Sequence, residues 1–447
     1  MFNCSLALRI ACVVSLFGAA NLHAQTDPGV RGGSPGAGGI IGGLTPGEID
    51  FFTNHGVPAF SEVESVADGL GPRFNLDSCA GCHIHPAVGG SSPPHSNPQV
   101  VRASIMAPGN TVPPFLTVNG PIREVRFIRN PDGSKDGGVH SIFTIAGRPD
   151  KPAGCSIQQP NFSNTGNLSF RIPTPTFGAG LIEAIPDTTI RNNLASDPGG
   201  RKKLLGIHGE VNTNGNDGTV TRFGWKAQNK SLLIFSGEAY NVEMGVTNEN
   251  FQNEREEDPA CASGAPVPNS ALGFNVGSIT ASDVLEFMAF MKFLDQPAPS
   301  CVGAACSSSI QNGQTLFSTV GCALCHTPTL MTGNSSTTAL ANKAANLYSD
   351  LAVHHMGSGL ADGVTQGGAG PDEFRTAPLW GVGQRAFFLH DGRTSDLLQT
   401  IKAHSKECSF FDLFNGCQVS EANRVVDAFN GLTSGQKQDI LNFLRSL

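Results

Sequence analysis

Apolar residues recur at helical spacing in only a few segments of this chain. Ile310–Val320 (IQNGQTLFSTV) reads as one helix running straight into Gly321 and Cys322. Ser434–Leu447 carries Ile440, Leu441, Phe443, Leu444 and Leu447 at helical spacing, with Thr433 placed to cap its start. Asp283–Leu294 (DVLEFMAFMKFL) is a third helix, introduced by a capping-box-like Thr280-x-x-Asp283 and ended by Pro297 and Pro299. Asp396–Ala403 (DLLQTIKA) is a fourth. Between residues 83 and 280 the pattern changes, and Gly, Pro, Asn and Thr interrupt short apolar runs. Glu124–Ile128, Ser141–Ile145 and Val220–Phe223 predict short strands among loops. The expected fold is mainly α, with a long loop and short-strand insertion in its first half.

Composition narrows the class. With 447 residues the chain is long enough for two or three domains, and its 39% hydrophobic content can build cores. The 54 Gly and 29 Pro predict much irregular structure around those cores. A net charge of −8 argues against a nucleic-acid binder, which needs a basic face. Residues 1–24 read as a cleaved signal peptide: Arg9 closes the n-region, Ile10–Ala20 is the apolar stretch, and Ala24 precedes the cut. No later apolar run is long enough to span a membrane. The expected location is therefore periplasmic or secreted, an oxidising compartment.

That compartment governs how the twelve cysteines are read. Cys4 and Cys12 leave with the signal. Cys301 with Cys306, and Cys408 with Cys417, are near enough to close small disulfide loops, which leaves Cys155 for Cys261. The other four form two motifs, Cys79-Ala80-Gly81-Cys82-His83 and Cys322-Ala323-Leu324-Cys325-His326. Two thiols two residues apart can add to the two vinyl groups of one haem, and the adjacent His is then placed to bind the iron. A zinc site would need its four ligands in one cluster, yet the motifs are far apart in sequence. A thioredoxin-like C-x-x-C would sit in a βαβ setting, which the pattern lacks. Two covalently bound haem c groups are expected, with His83 and His326 as proximal ligands.

Each motif is followed, further along, by an amphipathic helix. That arrangement suggests a duplicated cytochrome c architecture: a first haem domain over 25–296, carrying the inserted irregular region, and a second over 297–447. The acidic run Glu254–Asp258 (EREED) is simplest as a solvated loop, with a calcium site as the alternative.

Several longer blocks carry a family resemblance. Gly69-Leu70-Gly71-Pro72 followed by Phe74-Asn75-x-x-Ser78-Cys79 resembles the first haem motif of the dihaem oxidoreductase family, a group of peroxidase-like proteins sometimes labelled thiol oxidoreductases. The blocks Phe177–Pro186 (FGAGLIEAIP), Arg222–Ala227 (RFGWKA), Tyr348-Ser349-Asp350 with His354-x-Met356-Gly357, Arg375–Trp380 (RTAPLW) and Leu389–Arg393 (LHDGR) resemble further blocks of it. The C-terminal part is also similar to bacterial dihaem cytochrome c peroxidases and to the dihaem enzyme that matures methylamine dehydrogenase. The resemblance covers nearly the whole mature chain, from about Gly69 onward.

It also implies candidate ligands. In the peroxidases a distal ligand, usually Met, follows the His of the block matching Leu389–Arg393 by fourteen residues, and here that position is His404. The helix ending at Ala403 would present this imidazole over the second haem; bis-His ligation would lower the potential relative to His/Met. Met356 competes for the same role. At the first haem, the related peroxidases place a displaceable His soon after the motif, which points to His95 or His85, with an open sixth position as the alternative. Glu183 is the candidate catalytic acid–base group, because its Gly-rich apolar surroundings would raise its pKa; the alternative is a buried Glu that caps a helix or pairs with an Arg. Asp391 and Arg393 read as a loop tie or a haem-propionate contact, and Trp380 as either a relay between haems or a core residue.

These readings favour an exported dihaem peroxidase that reduces hydrogen peroxide with electrons from a small exported cytochrome or cupredoxin. The alternatives are a plain electron-transfer cytochrome and a haem-dependent oxidase or oxygenase of an organic substrate. Nothing in the sequence supports thiol chemistry, since every mature cysteine has a structural role available.

Overall fold

The computed structural model describes residues 25–447 apart from 137, 254–257, 263–271, 277–278, 410–411 and 413–415. The signal-like segment and most of the acidic run, with the calcium reading attached to it, lie outside the described residues. The fold is not mainly α. Helix accounts for 35% of the chain and strand for 11%, and the strands form several small antiparallel sheets. The cause is the backbone chemistry of the first half. Prolines remove donors and many glycines sit at positive φ, so the chain turns before a helix or ladder can propagate.

The four segments read as helices do form them, and two further helices that the sequence reading did not name join them. α1 is Leu232–Met244, α2 Asp283–Phe293, α3 Ser308–Val320, α4 Leu397–Ala403, α5 Asn423–Asn430 and α6 Ser434–Ser446, of which α1 and α5 are the additions. Thr433 and Gln436 form a reciprocal capping box at the start of α6. At α2 the N-cap position falls on Ser282 rather than on Thr280, and the Ser282 hydroxyl donates to Glu249 instead of capping a helix amide. Of the expected strands, Glu124–Phe127 (β1) forms between Val139–His140 (β2) and Leu168–Arg171 (β3) in an antiparallel sheet. Ser141–Ile145 shrinks to a two-residue strand, Phe143–Thr144, and Val220–Phe223 keeps only isolated bridges. A hairpin absent from the sequence reading, Val353–His355 (β4) with Glu373–Arg375 (β5), pairs His354 with Phe374.

Two apolar cores result. The smaller one joins α3 and α6 through Phe317, Val320, Leu441 and Phe443, with Phe388, Leu397 and Phe429 beside them. The helices approach so closely that a Cβ on Gly313 would lie 2.0 Å from the Asp439 carbonyl oxygen. Each buried Phe or Leu there contributes about 1.5–3 kcal/mol. The larger core includes a Phe60–Phe290 stack at 4.2 Å and runs past residue 296 to Leu347, Leu351 and Trp380. The N-terminal segment ties both regions together. Ile41 N–H donates to the Phe293 carbonyl, Arg31 N–H to the Gly383 carbonyl, and Asp27 pairs with Arg445 at 2.6 Å. No helix among the described residues is long and apolar enough to cross a membrane.

Candidate functional site

Each C-x-x-C-H motif opens onto its own large cavity. The first is lined by Cys79, Cys82 and His83 and by α1 residues Ala239, Tyr240, Glu243 and Met244. Cys79–Cys82 is one helical turn, and it leaves His83 at its end with Nδ1–H donating to the Gly90 carbonyl at 3.0 Å. That bond fixes the tautomer and keeps the Nε2 lone pair for a metal. Burial lowers the His83 pKa to about 4, so the ring is neutral and ready to ligate.

The second cavity repeats the arrangement. A short turn, Cys322–Leu324, follows α3, and His326 Nδ1–H donates to the Tyr348 carbonyl at 3.0 Å. Burial, with His404 nearby, lowers the His326 pKa to about 4. His404 ends α4 and donates Nδ1–H to the Thr400 carbonyl at 2.7 Å, which leaves its Nε2 lone pair uncommitted. Met356 and His390 line the same cavity. His354 also reaches it, but both its ring nitrogens are taken, Nε2 by Asp350 at 3.0 Å and Nδ1 by Glu421 at 2.9 Å. Burial opposes a charge on His354, yet the neighbouring Cys325 sulfur and Asp350 carboxylate hold its pKa well above the ordinary value.

The cysteine chemistry is divided accordingly. Cys155–Cys261, Cys301–Cys306 and Cys408–Cys417 form disulfides, whereas Cys79, Cys82, Cys322 and Cys325 are free thiols. Burial pushes Cys322 up to about 12 and holds Cys79 and Cys82 well above the ordinary thiol value, so these three are protonated sulfurs rather than reactive thiolates. Arg375 and Arg385 line the second cavity. Their side chains donate only to the carbonyls of Gly224 (2.9 Å) and Pro378 (3.3 Å), and no carboxylate pairs with either among the described residues. Burial lowers both to about 10, still cationic. Paired thiols, an anchored neutral imidazole, an apolar cavity and unpaired arginines suited to propionates together fit haem.

Other sequence-predicted residues fall elsewhere. His95 is exposed, and His85 Nε2 meets the Gln384 carbonyl at 2.9 Å; neither lines the first cavity, where His83 is the sole imidazole among the described residues. Glu183 lines neither cavity. Its Oε1 accepts the Leu232 amide at 2.8 Å, at the first turn of α1. Asp391 and Arg393 pair at 2.7 Å on the surface of their loop, where Arg393 also donates to the Gly359 carbonyl at 2.8 Å. Trp380 is buried outside both cavities, against Gly178. Among the described residues, the one that lines both is Trp225, whose Nε1–H donates to the Ile172 carbonyl at 2.9 Å.

Sequence reasoning also missed Glu243. It opens onto the first cavity, screened from bulk water, and burial together with Glu124 raises its pKa to about 8. The available signal was an acid three residues after Tyr240 on a largely apolar helix, LLIFSGEAYNVEM.

Solved structures give distant likenesses. One is hydrazine synthase from Kuenenia stuttgartiensis, 12% identical, TM-score 0.34, covering 99% of this chain and 100% of that one. Another is a MauG-like protein associated with microbial copper homeostasis, 16% identical, TM-score 0.29, covering 66% of this chain and 92% of that one. Likenesses this weak leave the site to be argued from its own residues. No curated protein matches the chain. Residues 127–447, which begin after the first C-x-x-C-H motif, match the family model described as "Di-haem oxidoreductase, putative peroxidase", and the chain belongs to that family of haem oxidoreductases.

Proposed function

We propose that this haem oxidoreductase is an exported peroxidase that attaches two c-type haems through Cys79/Cys82 and Cys322/Cys325. It reduces hydrogen peroxide with electrons from a small exported cytochrome or cupredoxin. The observation that carries the reading is an asymmetry. The second cavity offers His326 and, with a free Nε2, His404, whereas the first offers His83 as its sole imidazole among the described residues. A haem held by His83 would thus keep an exchangeable position, and one held by His326 and His404 would not. Haem bound there supplies one-electron chemistry and a place for peroxide.

The chain's own groups do the rest. Glu243, protonated near neutral pH, stands on the wall of the first cavity to give a proton to the departing oxygen. Trp225 occupies the partition between the cavities, where an aromatic ring shortens the electron's path. Arg375 and Arg385 hold anionic groups of the second haem. Three disulfides and the apolar stretch within residues 1–24 favour export.

Low-temperature EPR of the oxidised and the half-reduced holoprotein tests this. A high-spin ferric signal in either state, followed by peroxide turnover, is expected. Two low-spin signals that persist through half-reduction would make the protein an electron carrier instead.

A further inference from the structure

Peroxide reduction leaves an enzyme short of two electrons, and the first cavity contains an aromatic side chain built to lend one. The chain has only two tyrosines. Tyr240 is 2% exposed and lines the cavity that holds Cys79, Cys82 and His83. Its hydroxyl donates to Glu64 Oε1 at 2.8 Å, with Asp283 Oδ2 at 3.3 Å, and its ring packs edge-on against Phe287 at 4.9 Å. An oxidised phenol is a strong acid, so in a buried site it can lose an electron only if a base already stands within hydrogen-bond reach. Glu64 is such a base.

Trp225, on both cavities, and Tyr348, on neither, lack one among the described residues. Trp225 donates to the backbone carbonyl of Ile172, which does not take up a proton. Tyr348 meets the amide of Gln314. Burial, repulsion from Glu62 and the proximity of Asp283 raise the Glu64 pKa to about 7, so near neutral pH it both accepts and returns a proton.

We infer that Tyr240 is a redox-active residue of the first cavity, oxidised to a neutral phenoxyl radical while Glu64 takes its proton. The inference rests on the peroxidase reading above. The balance is as follows. Hydrogen peroxide takes two electrons and two protons to become two molecules of water. Tyr240 would supply one of those electrons and the donor protein the other; the Tyr240 O–H bond breaks and its proton moves to Glu64 Oε1, while haem held by Cys79, Cys82 and His83 would supply the place where peroxide accepts them. An electron from the donor protein and the proton returned by Glu64 then restore the phenol.

The test uses the haem-loaded protein with stoichiometric hydrogen peroxide, freeze-quenched for EPR and followed in parallel by haem absorption. Wild type should give an organic radical signal near the free-electron position that narrows when tyrosine is ring-deuterated. Tyr240→Phe, with both haems retained by mass spectrometry, should lose it. Glu64→Gln, which keeps the geometry but cannot accept the proton, should diminish it. A radical unchanged in Tyr240→Phe overturns the inference, as does a peroxide-induced change in haem absorption with no radical in wild type. No absorption change at all would instead sink the peroxidase reading, and this inference with it.

Discussion

His404 donates its Nδ1 proton to the Thr400 carbonyl one turn back, at 2.7 Å, and that bond leaves Nε2 free on the cavity that also holds His326. The bond spans i to i−4 within the last turn of α4, so the ring is oriented by its own helix and needs no distant partner. Substituting His404→Met should therefore keep the fold while replacing imidazole by thioether at the second haem. The expected result is a low-spin centre with a raised midpoint potential in a redox titration. An unchanged potential and spectrum would assign the ligand to Met356 or to no side chain.

Glu243 gives a sharper test of chemistry. Its carboxyl is held protonated by burial and by Glu124, with a pKa of about 8. Glu243→Gln should lower peroxide turnover by about 10²–10⁴-fold with haem content unchanged. In wild type, turnover should decline as pH rises through about 8, because the proton to be donated is lost. The stability linkage has the same sign. The folded state binds this proton more tightly than the unfolded chain, whose ordinary value is 4.5, so the stabilisation is fully present below about 4.5 and disappears by about 8. Thermal unfolding across that range, wild type against Glu243→Gln, measures it.

Cys79→Ser and Cys322→Ser should each weaken attachment at one site only. Intact-mass spectra of each purified variant should show loss of one covalently bound haem. Two retained haems in either variant would refute thioether attachment at that motif.

What the sequence revealed was local. The C-x-x-C-H spacing, the three small-loop and leftover cysteine pairs, and the helices around Phe317, Leu441 and Phe290 follow from residues close together in the chain. The fold class was overread because four strongly periodic helices stood out while a long Gly- and Pro-rich stretch carried little signal of either period. Partners brought together by packing were not legible. Nothing within RFGWKA or RTAPLW says which tryptophan separates the cavities; that is decided by the contacts of Trp225 with Ile172 and His390. Glu183 and Glu243 differ in the same way, one spent on a helix amide and the other left facing a cavity.

The partition beside Trp225 is held by buried charge. Asp362 accepts from Arg171 at 2.7 Å and pairs with Lys226 at 3.1 Å, with Lys226 and Asp362 side chains both fully buried. Burial opposes the Asp362 charge, and the two cations outweigh it, holding its pKa below the usual carboxylate value. Lys226 Nζ also sits 4.0 Å over the Phe374 ring, whose stack on His390 (4.3 Å) forms part of the second cavity's wall. Asp362→Asn would strand two buried cations and should cost about 3–5 kcal/mol in the unfolding of the haem-loaded protein. The double variant Asp362→Asn with Lys226→Met removes one stranded cation, although it leaves the carbonyls of Gly370 and Glu373 without their Lys226 donor. It should therefore recover part of that loss, by an amount that exceeds additivity of the two single substitutions. Strictly additive losses would mean that Asp362 and Lys226 act independently and that their ion pair does not hold the partition.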